Sequence, residues 1–157
     1  PFELQPNTRL QAVVKGVNTI TVPETITIAP ARPGIFTLPG TTQGAILDTQ
    51  ARVVDGAAPA AAGDIVVVYA TGLGAVDRAV ASGAAAPSDP PAKVTTPVTA
   101  TVGGQPAAVH FAGLTPGFVG LYQVNVQIPA GVAPGSAVPL LVLQNGVPSN
   151  TVTIAVR

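Results

Sequence analysis

The sequence predicts an all-β chain, an antiparallel sandwich or barrel of short strands, and three observations carry that prediction. Turn-forming residues are dense, with 17 glycines and 17 prolines in 157 residues. Between them lie short runs rich in valine, isoleucine and threonine, several alternating apolar with polar side chains, which is the period of a half-buried strand. Turn signals recur every ~8–12 residues, a spacing that suits a sandwich or barrel better than strands alternating with helices.

The elements follow in order. Leu10, Ala12 and Val14 alternate with Gln11 and Val13. "TITV" (19–22) and "TITIA" (25–29) set isoleucine against threonine. "GIFTL" (34–38) is short and apolar, "GAILD" (44–48) follows a Pro39-Gly40 turn, and 51–54 is a short strand ended by Asp55-Gly56. "GAAPAAAG" (56–63) is a small-residue loop. The strongest strand is 64–71, with Val66, Val67, Val68 and Tyr69. In 79–96 the alanines suggest a helix, but Gly83, Pro87, Pro90 and Pro91 interrupt it, so a long loop with at most one helical turn is predicted. "VTATVGG" and "AAVHF" (107–111) form strands across Gly103-Gly104. In 121–128, Tyr122, Val124, Val126 and Ile128 share one face. The run 138–143 meets "NTVTIAV" across Asn145-Gly146, the strongest short-range hairpin signal because both residues accept positive φ.

Composition excludes several classes of function. Charged residues are 9% of the chain, the net charge is zero, and seven basic residues are scattered from Arg9 to Arg157. Nucleic-acid binding needs a basic patch. No apolar run reaches the ~18 residues of a membrane helix. Nothing resembles a secretory signal, and Pro1 reads as the first residue of a processed chain or as an engineered start. With no cysteine there are neither disulfides nor thiolate metal sites. A surface this poor in charge favours association.

The chemistry-bearing patterns are weak. "GDIVVVYATGLGAV" (63–76) begins like a dinucleotide finger, but Asp77 stands where G-x-G-x-x-G needs its third glycine, and no helix is expected after it. A strand ending in a glycine turn beside another backbone is the better reading. His110 is the sole histidine and alternation turns it toward solvent; no G-x-S-x-G accompanies it, and one histidine without cysteine makes a poor zinc site. Glu3, Glu24, Asp48, Asp55, Asp64, Asp77 and Asp89 form no calcium-loop pattern, and turn or cap roles suit Asp55 and Asp64. With no tryptophan, the aromatics Phe36, Tyr69, Phe111, Phe118 and Tyr122 are expected in the core. No catalytic, cofactor-binding or metal-binding residue is predicted.

The chain also echoes itself. Pro1 and Pro6 match Pro129 and Pro134 in spacing, Gly16-Val17 matches Gly146-Val147, and "ITIA" (26–29) matches "VTIA" (152–155), with small insertions between. Residues 1–29 therefore read as the last strands of a truncated preceding repeat, and 30–157 as the sandwich domain. Two strands alone bury too little and need a partner sheet.

The strings "ARPGIFT", "TQGAILD", "YATGLG", "VTATVGGQPAAVHFAGLTPGFVGLYQVNVQIPAG" and "SNTVTIAVR" resemble the uncharacterised C-terminal domain of large secreted surface proteins of soil acidobacteria. The likeness runs from about Ala29 to the C-terminus. More distantly, the glycine-ended strand followed by the "VTATVGG" hairpin is similar to immunoglobulin-like IPT/TIG modules. The resemblance implies an immunoglobulin-like β-sandwich, secreted or at the cell surface, without assigned activity.

The expectation is a non-enzymatic structural or adhesive module that needs no cofactor and whose partners are copies of itself or other surface proteins. A sharper expectation is strand addition into a filament or surface layer through Leu10, Ala12, Val14, Ile20, Val22, Ile26 and Ile28, because main-chain hydrogen bonds give affinity and alternate side chains fill pockets. The alternative is a carbohydrate- or ligand-binding accessory domain of a larger secreted protein.

Overall fold

A computed structural model describes residues 4–157; the expectations at Pro1 and Glu3 lie outside the described residues. Among the described residues every regular element is a strand: β1 (Arg9–Ala12), β2 (Glu24–Thr27), β3 (Gly34–Ile35), β4 (Ile46–Asp48), β5 (Ile65–Thr71), β6 (Val98–Val102), β7 (Gln105–Ala107), β8 (Val109–Leu114), β9 (Tyr122–Gln127), β10 (Gly135–Gln144), β11 (Val147–Pro148) and β12 (Val152–Val156).

Ten of these strands make two antiparallel sheets packed as an immunoglobulin-like sandwich. One sheet runs β3-β5-β9-β8, with β4 beside β3 on the same edge of β5. The other runs β11-β10-β6-β7, with β12 beside β11 along β10. Alternation decides which side chains meet between them. Val66, Val68, Ala70, Tyr122, Val124 and Val126 face Val102, Leu140, Val142, Val152 and Ile154, all nearly or wholly buried. Each such valine or leucine contributes ~1.5–3 kcal/mol by leaving water. The opposite positions on β9, Gln123, Asn125 and Gln127, point outward and are half-buried.

Turn chemistry sets the register. Gly103 (φ 59°) with Gly104 (φ 77°), and Asn145 (φ 51°) with Gly146 (φ 75°), make two-residue turns whose twist matches that of the flanking strands. These place Val102 opposite Gln105 and Gln144 opposite Val147. The run 107–111, expected as one strand, is divided instead: β7 pairs with β6 in one sheet, and β8 pairs with β9 in the other. The chain changes sheets at Ala108, whose carbonyl accepts from Gln127 N at 2.9 Å. The strand expected at 51–54 is reduced to a bridge between Leu47 and Val53. Two aromatics correct the core expectation, since Phe36 and Phe118 are 46% and 55% exposed.

"YATGLG" acquires a packing reason. Leu73 is buried in the core, and the glycines on either side of it both have φ 74°. Residues 30–32 cross directly over this point. A Cβ at Gly72 would collide with the Arg32 carbonyl, and one at Gly74 with the Pro30 carbonyl. Arg32 N donates to Gly72 O at 2.8 Å, and the Tyr122 hydroxyl donates to Gly74 O. The glycine pair is thus the seat for the strap that leads from β2 into the sandwich. No helix follows it: Asp77 N donates to Lys93 O at 2.8 Å and Asp77 Oδ1 accepts from Lys93 N at 3.0 Å.

Candidate functional site

Among the described residues, no cluster of three or more histidine, cysteine or acidic side chains could hold a metal. His110 is exposed at the bulge of β8, its Nε2 3.3 Å from Gln127 Oε1. A polar groove of about 340 Å³ lies at one end of the sandwich, lined in part by Asp48, Arg52, Asp64 and Arg157. Its acids are engaged in their own turns. Asp48 Oδ1 accepts from Gln50 N at 2.8 Å and Arg52 N at 2.9 Å, and Asp64 Oδ2 accepts from Ala61 N at 2.8 Å. The Arg52 backbone N–H above all holds the Asp48 carboxyl below its ordinary value, with burial opposing and the Arg52 side chain, 2.8 Å from Oδ2, assisting.

The sandwich closes its own edges. Beside β12, Thr153 N donates to Thr42 O at 2.9 Å and Gly44 N donates to Thr153 O at 3.0 Å; Ala60 N reaches Ala155 O at 3.0 Å. Beside β8, Val94 N donates to Ala112 O at 3.0 Å and Leu114 N to Ala92 O at 2.8 Å, and residues 75–77 lie against 93–95 in turn. Beside β3, the Asn150 side chain accepts from Ile35 N at 2.7 Å and donates to Ile35 O at 3.0 Å. Beside β4, Val54 N donates to Ile46 O at 3.0 Å. Beyond β7, the register puts Pro106 between two bonded pairs, so its backbone faces outward, where a proline has no N–H to give.

The N-terminal segment differs in each respect. β1 and β2 form a separate two-stranded sheet with Leu10 opposite Ile26 and Ala12 opposite Glu24. The ladder continues through Lys15 opposite Ile20 to a tip at Val17-Asn18, where Gly16 N donates to Thr19 O at 2.8 Å. Of the seven residues expected to associate, Leu10, Ala12 and Ile28 are half-buried, whereas Val14 (68%), Ile20 (70%), Val22 (85%) and Ile26 (40%) are exposed, as is Val17 (98%). The hairpin brings the seven into one element, although the exposure is spread over both of its faces.

The hairpin is also a copy. Its pairings Leu10–Ile26, Gln11–Thr25 and Ala12–Glu24 recur as Val138–Ile154, Pro139–Thr153 and Leu140–Val152, every number higher by 128 (10 to 138, 26 to 154). Lys15–Ile20 recurs as Leu143–Pro148. Even a local exception is repeated. Val14 N donates to Thr21 Oγ1 (3.0 Å) and Thr21 N to Val14 O (3.0 Å); Val142 N donates to Ser149 Oγ (3.1 Å) and Ser149 N to Val142 O (2.9 Å). The echo therefore needs no insertions. Gly16-Val17 corresponds to Gln144-Asn145, and Ile26 to Ile154, which the sequence match displaced by two residues in opposite directions.

The chain matches no family model, no curated protein and no solved structure.

Proposed function

We propose that the chain is a non-enzymatic structural and adhesive β-sandwich module of a secreted surface protein, joined to its neighbour through the hairpin at 9–28. The observation that supports this reading is the contrast between a sandwich with covered edges and a hairpin that leaves Val14, Val17, Ile20 and Val22 in water. An apolar element without a covering partner is the mark of an interaction surface. The low charge and the family-like strings support placement outside the cell and assembly into a filament or layer. The test compares the full chain with one lacking 1–29 by light scattering over a range of concentration. The full chain should associate and the shortened chain should remain monomeric; equal association would overturn the reading.

A second reading rests on the outer face of the sheet containing β5. There Tyr69 lies opposite Gln123, and Phe36 N donates to Tyr69 O at 3.0 Å, which sets two aromatics beside the amides of Gln123 and Asn125. Aromatic planes next to amide groups suit a sugar ring. On a glycan array, binding that Tyr69→Ala abolishes would favour carbohydrate recognition, and an empty array would dismiss it.

A further inference from the structure

The hairpin's partner can be read from its copy, because this molecule already contains that copy in place. β10 to β12 are held in three ways. One edge of β10 pairs with β6, Leu140 to Gln144 against Val102 to Val98. The outer edge of β12 receives 42–44 and 60. The inward face, Val138, Leu140, Val142, Val152, Ile154 and Val156, covers the other sheet.

The hairpin presents the same groups. Ile28 N donates to Thr8 O at 2.9 Å and Asn7 N to Ile28 O at 2.7 Å, so the even-numbered pairs bond inward. Thr25, the counterpart of Thr153, consequently turns its N–H and C=O outward, as Thr153 does toward Thr42 and Gly44. On the corresponding face stand Leu10, Ala12, Val14, Ile26 and Ile28, with Glu24 at the place of Val152.

We infer that the hairpin's partner is a β-sandwich of this same architecture that lacks its own last hairpin. β1 pairs along a strand equivalent to β6. β2 receives segments equivalent to 42–44 and 60. Leu10, Ala12, Val14, Ile26 and Ile28 cover the opposite sheet. A complete second copy receives the hairpin only by releasing its own β10–β12, because the place beside β6 is otherwise filled by its own β10 and its other edges are covered or proline-blunted. The inference rests on the proposed joining role of 9–28 and specifies what is joined. Glu24 is the one charge the joint would bury, where Val152 is wholly buried, and it weakens the joint unless paired.

The test fuses residues 30–132 directly ahead of 5–157, which places 9–28 where 137–156 stand in the sandwich. Hydrogen exchange followed by NMR should show the Thr25 and Val13 amides slowed at least tenfold relative to the 157-residue chain, and the unfolding m-value should rise with the added folded surface. Two further fusions make the result decisive. One carries E24V, so that the buried carboxylate alone cannot account for failure. The other joins 30–132 to 6–157, a one-residue slip that turns the wrong face inward and should abolish protection. Loss of protection in both registered fusions, with or without E24V, overturns the inference, as does equal protection in the slipped one. The joining role itself is judged separately, by deletion of 1–29, so the two can fail independently.

Discussion

A methyl group at position 72 would occupy the place of the Arg32 carbonyl, and it would do so at a φ that side chains avoid. Gly72→Ala therefore combines backbone strain with a clash that no rotamer relieves, and should cost at least ~2 kcal/mol in urea unfolding. Gly40→Ala is the control, with φ 72° but nothing within 4 Å of its Cβ, and should cost about half as much. Ala51 is the converse case. It has φ 60° in the turn closed by Ala51 N to Asp48 O at 3.0 Å, so Ala51→Gly should stabilise by ~0.5–1 kcal/mol, read as a raised denaturant midpoint. Burial pushes the Tyr122 hydroxyl up to about 12 from 10.0. A raised value in the fold means that the native state holds this proton more tightly than the unfolded chain. The resulting stability is complete below pH 10 and is lost as pH rises from 10 toward 12. Tyr122→Phe should flatten that alkaline decline and cost ~0.5–1.5 kcal/mol at neutral pH by leaving Gly74 O without its donor; an unchanged alkaline slope would show that Tyr122 is not its source.

Strands and hairpins are legible in this sequence where side chains specify them. The glycine pair 103–104 and the pair Asn145-Gly146 announce their turns because only such residues accept two successive positive φ values. The alternation of Val66, Val68 and Ala70 announces an inner face. The segments that close the edges, 42–44, 60, 75–77 and 92–95, carry no such signal. They are held by backbone donors and acceptors that every residue possesses, so no pattern marks them. Asn150 is a similar case: one amide takes the part of an entire neighbouring strand by bonding both backbone groups of Ile35, which lies 115 residues away. Asn150→Ala should cost ~1–2 kcal/mol, and the Ile35 amide should become one of the faster-exchanging groups of its sheet. The hairpin at 9–28 is recognisable as strands from its threonines and isoleucines. Its exact kinship with 137–156 is hidden, because few identical residues survive and only the hydrogen bonds keep the common register. The exposure of Phe36 and Phe118 is equally invisible, since aromatic type says nothing of which face or loop carries it.

At the scale of the molecule, two units of very different stability share one chain. The sandwich buries a continuous core, whereas a two-stranded hairpin in water is marginal by itself. Exchange of the amides in 9–28 should therefore be governed by local opening, and amides of β5 and β9 by global unfolding. Removing 1–29 should shift the Tm of the sandwich by less than about 2 °C, because the buried core draws its residues from 35–156 and takes none from the hairpin. A larger fall would mean that the hairpin supports the sandwich in its own chain.

The covered edges carry a consequence for colloidal behaviour. A chain of zero net charge with an isoelectric point near 7.2 has no electrostatic repulsion to keep its copies apart at neutral pH. Within the sandwich, resistance to edge-to-edge pairing rests instead on leaving no vacant backbone hydrogen-bonding sites around its sheets, a protection that salt does not screen. The weak point of that defence is mechanical: whatever pulls 75–77 and 92–95 away from β8 uncovers a strand that nothing else shields, and precipitation would start there.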